Sequence, residues 1–338
     1  MKYKLFGNSG LRVSELCLGT MTFGEDWGWG SSRAESQQMY NTYRDGGGNF
    51  IDTANRYTNG TSERYVGELI APHRKSIVLA TKYSLSTDPK DPNASGNHRK
   101  NIVQALEASL KRLKTDYIDL YWVHAYDNVT PVEEMMRALD DMIRAGKILH
   151  IGISDAPAWV VAKANIMAEL KNWTQFSGIQ IEYSLTERTV ERDLLPMARD
   201  FGLSVAAWSP LSRGLLSGKF NSKNVNFEET RLKESSAHLS ERNLRIADEV
   251  VKIAEEINKK PSQVALRWLI THRDIIPIIG VRSNSQLVEN MGCLDTELSP
   301  EQLERLESVS KIDLGFPHKF LKTENVMNLI YGDHKDLK

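Results

Sequence analysis

Residues 49–83 read NFIDTANRYTNGTSERYVGELIAPHRKSIVLATKY. Phe50-Ile51 is a short apolar strand ending in Asp52, and Tyr57 follows in a turn-rich loop. A helical segment then places Val66, Leu69 and Ile70 on one side, and a second apolar strand, Ile77 to Ala80, ends in Lys82. Strand, helix and strand in succession imply parallel neighbours about 5 Å apart. An acid, a phenol and an ammonium therefore meet at one sheet edge. That trio suits proton donation. A buried ammonium beside a phenol favours the phenolate and lowers its pKa from about 10, while the acid holds the ammonium charged and in place.

Outward from this unit the alternation continues in both directions. Lys2 to Phe6 and Leu11 to Val13 read as a hairpin around Gly7-Asn8-Ser9-Gly10, and Glu15 to Thr20 as the first strand after it. A Gly/Trp-rich loop runs from Phe23 to Ser32, and a helix from about Arg33 to Asp45. Beyond Lys82, an N-cap is expected at Asn97, and Ile102, Leu106, Leu110 and Leu113 mark a helix face. Strands follow at Tyr117–Val123, Ile148–Ile153, Gly178–Ile181, Leu203–Trp208 and Ile275–Ile279. Between them lie helices at Pro131–Ala145, Pro157–Lys171, Glu187–Phe201, 241–258 and Pro261–Thr271. Helices at Ser283–Asn290 and Pro300–Ser310 precede an irregular end, and a long polar loop runs from Ser209 to Ser240, too long for a mere connector.

Eight strands, each followed by a helix, favour a closed (β/α)8 TIM barrel in one domain over 1–338. It has an N-terminal β-hairpin (1–14), extended loops at the C-terminal face and a tail at 311–338. A doubly wound sheet would bring a glycine-rich phosphate turn after its first strand, and Gly19-Thr20-Met21-Thr22-Phe23-Gly24 is not one. Gly214 to Lys219 is one residue short of a P-loop and lacks its Ser/Thr.

Composition narrows the function. With 41% hydrophobic and 26% charged residues and a net charge of −1, the chain is globular with no basic footprint for nucleic acid or an anionic membrane. No apolar run approaches a membrane span, and MKYKLFGNSG lacks a signal-peptide core, so the cytoplasm is the expected location. Cys17 and Cys293 do not make a disulfide framework, and no His or Cys spacing matches a zinc site.

In a barrel, chemistry belongs at the C-terminal ends of the strands. Those ends carry Thr20, Asp52, Lys82, His124, Ser154, Gln180, Trp208 and Gly280. Asp52, Lys82 and His124 end three adjacent staves, with Tyr57 in the loop above the first. In this order and adjacency, together with Gly10-Leu11-Arg12-Val13-Ser14, Asp52-Thr53-Ala54, Trp208-Ser209-Pro210-Leu211 and Glu289-Asn290, the chain resembles the aldo-keto reductases over nearly its whole length.

The resemblance implies an oxidoreductase that binds NADPH across the barrel mouth and uses Asp52, Tyr57, Lys82 and His124 as a tetrad. Tyr57 would protonate the carbonyl oxygen as hydride arrives, Lys82 paired with Asp52 would tune it, and His124 would orient the carbonyl. For the cofactor it implies Thr20, Met21 and Asp52 at the rim, Ser154, Asp155 and Gln180 at the carboxamide, and Trp208 against the nicotinamide. Ser209, Pro210, Leu211, Arg213 and Lys219 would embrace the pyrophosphate, with Arg231 closing over it. Gly280, Arg282 and Gln286 fall at the 2′-phosphate, where the helix start adds free N–H groups, and Glu289 and Asn290 fall at the adenine. Many relatives carry Asn where Asp155 stands, and a carboxylate cannot donate to a carboxamide oxygen.

The substrate would meet Tyr57, His124, Trp27, Trp29, Tyr83 and Tyr126, with Phe316 nearby. Such an aromatic rim suits an apolar or sugar-like carbonyl, and it equally suits packing of the barrel top. A small-molecule carbonyl is the expected partner. A cofactor-binding regulatory subunit could dispense with part of the tetrad, whereas all four residues are present; a dehydrogenase running towards oxidation uses the same four. Oligomeric state is not legible.

Overall fold

The computed structural model describes residues 1–220 and 235–334. An antiparallel hairpin, β1 (Tyr3–Leu5) and β2 (Arg12–Ser14), leads into a closed barrel. The barrel strands are β3 (Cys17–Gly19), β4 (Phe50–Asp52), β5 (Val78–Tyr83), β6 (Ile118–Val123), β7 (Ile148–Ser154), β8 (Gly178–Glu182), β9 (Ser204–Trp208) and β10 (Ile275–Gly280). They are joined in parallel in the order β10-β3-β4-β5-β6-β7-β8-β9, so each stave neighbours its predecessor in sequence. The helices are α1 (Arg33–Asp45), α2 (Thr61–Ile70), α3 (Arg99–Leu113), α4 (Val132–Arg144), α5 (Ala158–Leu170), α6 (Leu194–Asp200), α7 (Glu241–Glu256), α8 (Pro261–Thr271), α9 (Asn284–Met291), α10 (Pro300–Ser310), α11 (His318–Leu321) and α12 (Glu324–Tyr331).

The period-two pleat sorts the strand residues into two cores. Phe50, Val78, Ala80, Leu120, Trp122, Ala206, Ile276 and Ile278 fill the barrel interior. Ile51, Leu79, Tyr121, Ile151, Ile179 and Val205 face the helices. Phe6, from the end of β1, plugs the bottom, with its ring 5.8 Å from Phe50 and 6.1 Å from Trp122. Trp122 fits because Gly152 opposite it has no side chain: a Cβ there would lie 2.3 Å from the indole. Such filling makes the interior a packed core rather than a pore and leaves chemistry to the mouth.

Three expectations need correction. Glu187–Phe201 is not one helix but a short 3-10 turn at Thr189–Glu191 followed by α6. A helix begun at Glu187 would hold Pro196 in its interior, against the carbonyl of Arg192, whereas starting at Leu194 leaves it in the first turn. The cap of α3 is His98, whose Nδ1 accepts from the Asn101 N–H at 3.3 Å. Asn97 is instead buried and bonded to Asp127 and the Ala125 carbonyl. The C-terminal segment is helical at α11 and α12 rather than irregular. Among the described residues no helix is long and apolar enough to cross a membrane.

Candidate active site

Asp52, Lys82 and His124 share the parity of the interior residues on β4, β5 and β6, so all three point towards the barrel axis at its mouth. Tyr57 is held above them by a tight turn, Tyr57–Gly60, in which Thr58 (φ 43°), Asn59 (φ 54°) and Gly60 (φ 87°) are successively left-handed. A β-branched residue seldom adopts that region. Thr58 is kept there by its hydroxyl, which donates to the Phe23 carbonyl (2.7 Å) and accepts from the Ser62 N–H (3.0 Å).

Lys82 is fully buried and its ammonium makes three bonds: to Asp52 Oδ2, to the Thr53 carbonyl (2.9 Å) and to the Tyr57 hydroxyl (2.9 Å). An ammonium has three donors and no acceptor. The Tyr57 oxygen therefore accepts, and its own proton is left to point elsewhere. The second Asp52 oxygen accepts from Gln180 Nε2 across the barrel at 3.0 Å. The His124 ring stands edge-on to Tyr57, with centroids 5.8 Å apart and planes at 86°.

Burial dominates the electrostatics. It works against the Lys82 ammonium, but Asp52 and Tyr57 outweigh it and hold Lys82 above its ordinary value. On Asp52 burial wins, raising the carboxyl against the pull of Lys82. These tendencies oppose one another at a single contact. Charge-assisted bonds to both Asp52 oxygens or their neighbours make the ion pair the state that this geometry stabilises. Burial also pushes the Tyr57 phenol up from its usual value, with Lys82 pulling it down less strongly. This corrects the expectation of a lowered phenol: the group stays protonated at neutral pH. Burial, reinforced by Lys82, drives His124 well below its usual value and keeps it neutral.

The other expected residues divide. Ser154, Gln180, Trp208 and Gly280 share the inward parity and ring the mouth. The Trp208 indole N–H donates to Asp155 at 3.1 Å. Left-handed residues at Ser209, Ser212, Arg213 and Gly214 fold the loop after β9 into tight turns, leaving Arg213 and Lys219 exposed. Pro210 and Leu211 lie in that loop, and Arg231 lies outside the described residues. Trp27 and Trp29 pair at 5.7 Å in the loop after β3. Tyr126 stands edge-on to Trp159, and Phe316 is 82% exposed beside Phe320.

Two expected residues are placed elsewhere. Tyr83 follows inward-pointing Lys82 and so points outward, where it is fully buried and stacked on Tyr121 at 5.2 Å. It belongs to the barrel–helix layer. Thr20 follows inward Gly19 and also turns away from the mouth, bonding to the Asp52 carbonyl and to Ser62. Met21, next along, is half-buried at the rim. At the start of α9, the expected free N–H groups are partly taken. Glu35 accepts from Asn284 N–H at 2.5 Å, Ser283 from Gln286 N–H, and the Gln286 side chain accepts from the Arg282 N–H. Glu289 is held by Ser262 and Asn290 is buried.

Missing from the sequence reading is the clamp on the Tyr57 turn. Ser62 links Thr20 and Thr53 through hydroxyls at 2.9 Å each, and Thr58 ties the turn to Phe23. The Asn59-Gly60 dipeptide was the available signal, since it marks a left-handed turn.

A nicotinamide dinucleotide fits these residues. The Trp208 ring is part-exposed, a Cβ at Gly280 or Gly214 would meet nothing within 4 Å among the described residues, and the buried His124 Nδ1 has no hydrogen-bond partner among them. A parallel eight-stranded barrel with an acid, an amine, a phenol and a neutral imidazole at its mouth defines a class of oxidoreductases. The family profile described as the aldo/keto reductase family matches residues 15–311, and the chain belongs to that family. It is 38% identical over 328 residues to norsolorinic acid reductase of Aspergillus flavus, covering 94% of this chain and 83% of that protein. It is 35% identical over 325 residues to an aryl-alcohol dehydrogenase of Pestalotiopsis microspora (93% and 83%). It is 34% identical over 353 residues to aryl-alcohol dehydrogenase [NADP(+)] of Phanerodontia chrysosporium (97% and 88%). The chain is accordingly an enzyme, and its family typically uses NADP(H).

Proposed function

We propose that this protein is an NADPH-dependent reductase of aryl aldehydes or ketones in which Tyr57 donates the proton to the carbonyl oxygen. The observation that carries this reading is the Lys82 ammonium, whose three donors are committed to Asp52, the Thr53 carbonyl and the Tyr57 oxygen. This leaves the phenol proton free to be given. Bound NADPH supplies the hydride. Tyr57, protonated at neutral pH through burial, gives its proton to the carbonyl oxygen, and Lys82 at 2.9 Å stabilises the phenolate that remains. Neutral His124, beside the Tyr57 ring, orients the carbonyl. Trp208 supports the nicotinamide and Arg282 meets the 2′-phosphate. Trp27 and Trp29, paired at a tilt of 46° in the mouth loop, suit a flat apolar substrate, in keeping with the aryl-alcohol dehydrogenases among the relatives.

The test is a panel of aryl and alkyl aldehydes with NADPH, followed at the nicotinamide absorbance. Aryl aldehydes should turn over fastest. Tyr57→Phe should lower kcat by about 10²–10⁴-fold with NADPH affinity unchanged. A variant retaining more than about a tenth of the rate would assign the proton to another group. No turnover across the panel would leave a cofactor-binding regulatory protein as the better reading.

A further inference from the structure

We propose that Asp155 sets the redox preference of this site: its carboxylate favours the oxidised, cationic nicotinamide over the reduced, neutral one. The inference rests on the reading that the nicotinamide lies against Trp208.

Asp155 follows β7 directly, in a left-handed conformation (φ 46°) that an aspartate tolerates better than most residues. That backbone turn brings its Oδ1 to the Trp208 indole N–H at 3.1 Å. The carboxylate thus borders the same space as the Trp208 ring, and the residue stays exposed at the mouth. Its field reaches the catalytic groups as well, pushing the Tyr57 phenol up; burial in turn raises the Asp155 carboxyl above its ordinary value, while the bonds from Trp208 and Ser154 and the Lys82 charge pull it down less strongly.

The catalytic charges nearby are already matched: Asp52 and Lys82 form an ion pair and His124 is neutral. Glu182 at the end of β8 is a second carboxylate within the field of Asp155, raised chiefly by burial and drawn down by Arg213. Asp155 forms no salt bridge among the described residues; its bonds come from the Trp208 N–H and the neutral Ser154 hydroxyl. Asp155 therefore brings negative charge to the mouth with no salt-bridge partner among the described residues.

A nicotinamide ring is cationic when oxidised and neutral when reduced. A carboxylate beside it stabilises the positive charge left once a hydride has departed. Asp155 thereby pulls the bound equilibrium towards the alcohol and holds spent cofactor more firmly than fresh cofactor. An amide could not do this, having no charge.

Asp155→Asn isolates the charge, because the amide oxygen can still accept from Trp208 and the shape is nearly the same. The dissociation constants of NADP⁺ and NADPH should be measured for wild type and variant by quenching of protein fluorescence, at low and high salt. NADP⁺ should weaken roughly tenfold while NADPH scarcely changes, the effect of one unit charge several ångströms away at a partly solvated site. The difference should shrink in high salt. Asp155→Ser should shift the ratio in the same direction, so that a poorly folded Asn variant does not decide the matter. An unchanged ratio, or a parallel loss for both cofactors, would overturn the proposal and leave Asp155 as a support for the Trp208 ring. Failure of the wild-type protein to bind either cofactor would overturn the nicotinamide reading itself, and this inference with it.

Discussion

Replacing Lys82 by Met keeps the length of the side chain and removes its charge and all three of its hydrogen bonds. Asp52, itself almost fully buried, would keep the neutral bond from Gln180 but lose its cation. Removing one partner of a buried ion pair costs about 3–5 kcal/mol. Unfolding entropy for 338 residues is about 0.7 kcal/mol/K, so Tm should fall by about 4–7 °C near neutral pH. The loss should depend on pH. In the variant the Asp52 carboxyl, buried and without its cation, has a folded-state pKa raised above its unfolded value of about 3.9. Its stability is then fully present below about pH 4 and lost as pH rises through the raised value. The Tm gap from wild type should therefore widen between about pH 5 and pH 8. Turnover should fall by about 10²–10⁴-fold, since the Tyr57 phenolate loses its counter-charge. Adding Asp52→Asn should recover much of the stability and none of the activity. Calorimetry across the pH range with parallel turnover assays checks both effects. A Lys82→Met protein with wild-type Tm at pH 8, or with a gap that narrows as pH rises, would refute the pairing argued for Asp52 and Lys82.

Thr58→Val should leave the Phe23 carbonyl and the Ser62 N–H without their partner, at about 1–3 kcal/mol each, and loosen the turn that aims Tyr57. We expect kcat to drop while cofactor affinity holds, with Thr58→Ser restoring the rate; equal damage from Ser and Val would mean that the methyl, not the hydroxyl, matters. Arg282→Ala should weaken NADPH by roughly 10- to 150-fold, the worth of one charge-assisted bond, and leave NADH nearly untouched. Because Glu35 already occupies the Asn284 N–H, most of the phosphate discrimination should reside in Arg282; equal losses for the two cofactors, measured as dissociation constants, would move it out of the 2′-phosphate site.

Much of this protein follows from local pattern alone. Apolar strands alternating with amphipathic helices select a parallel barrel, and a barrel collects the residues at its strand ends. Asp52, Lys82, His124 and Gln180 are neighbours because β4, β5, β6 and β8 end at one rim, a consequence of element order that periodicity already carries. The same period-two rule, applied one residue further, turns Tyr83 and Thr20 away from the mouth as soon as Lys82 and Gly19 point in. What pattern does not carry is the competition between burial and charge. Whether Lys82 lowers Tyr57 or burial raises it depends on how completely the tetrad is enclosed, and enclosure is a property of the packed whole. Partners distant in sequence are likewise a tertiary matter. Gln180 reaches Asp52 across the barrel, Glu35 reaches the start of α9, and Asp155 finds the Trp208 indole only when the strands close. Nothing local in either member of these pairs specifies the other, since each contact is fixed by the closure and stagger of the strands between them.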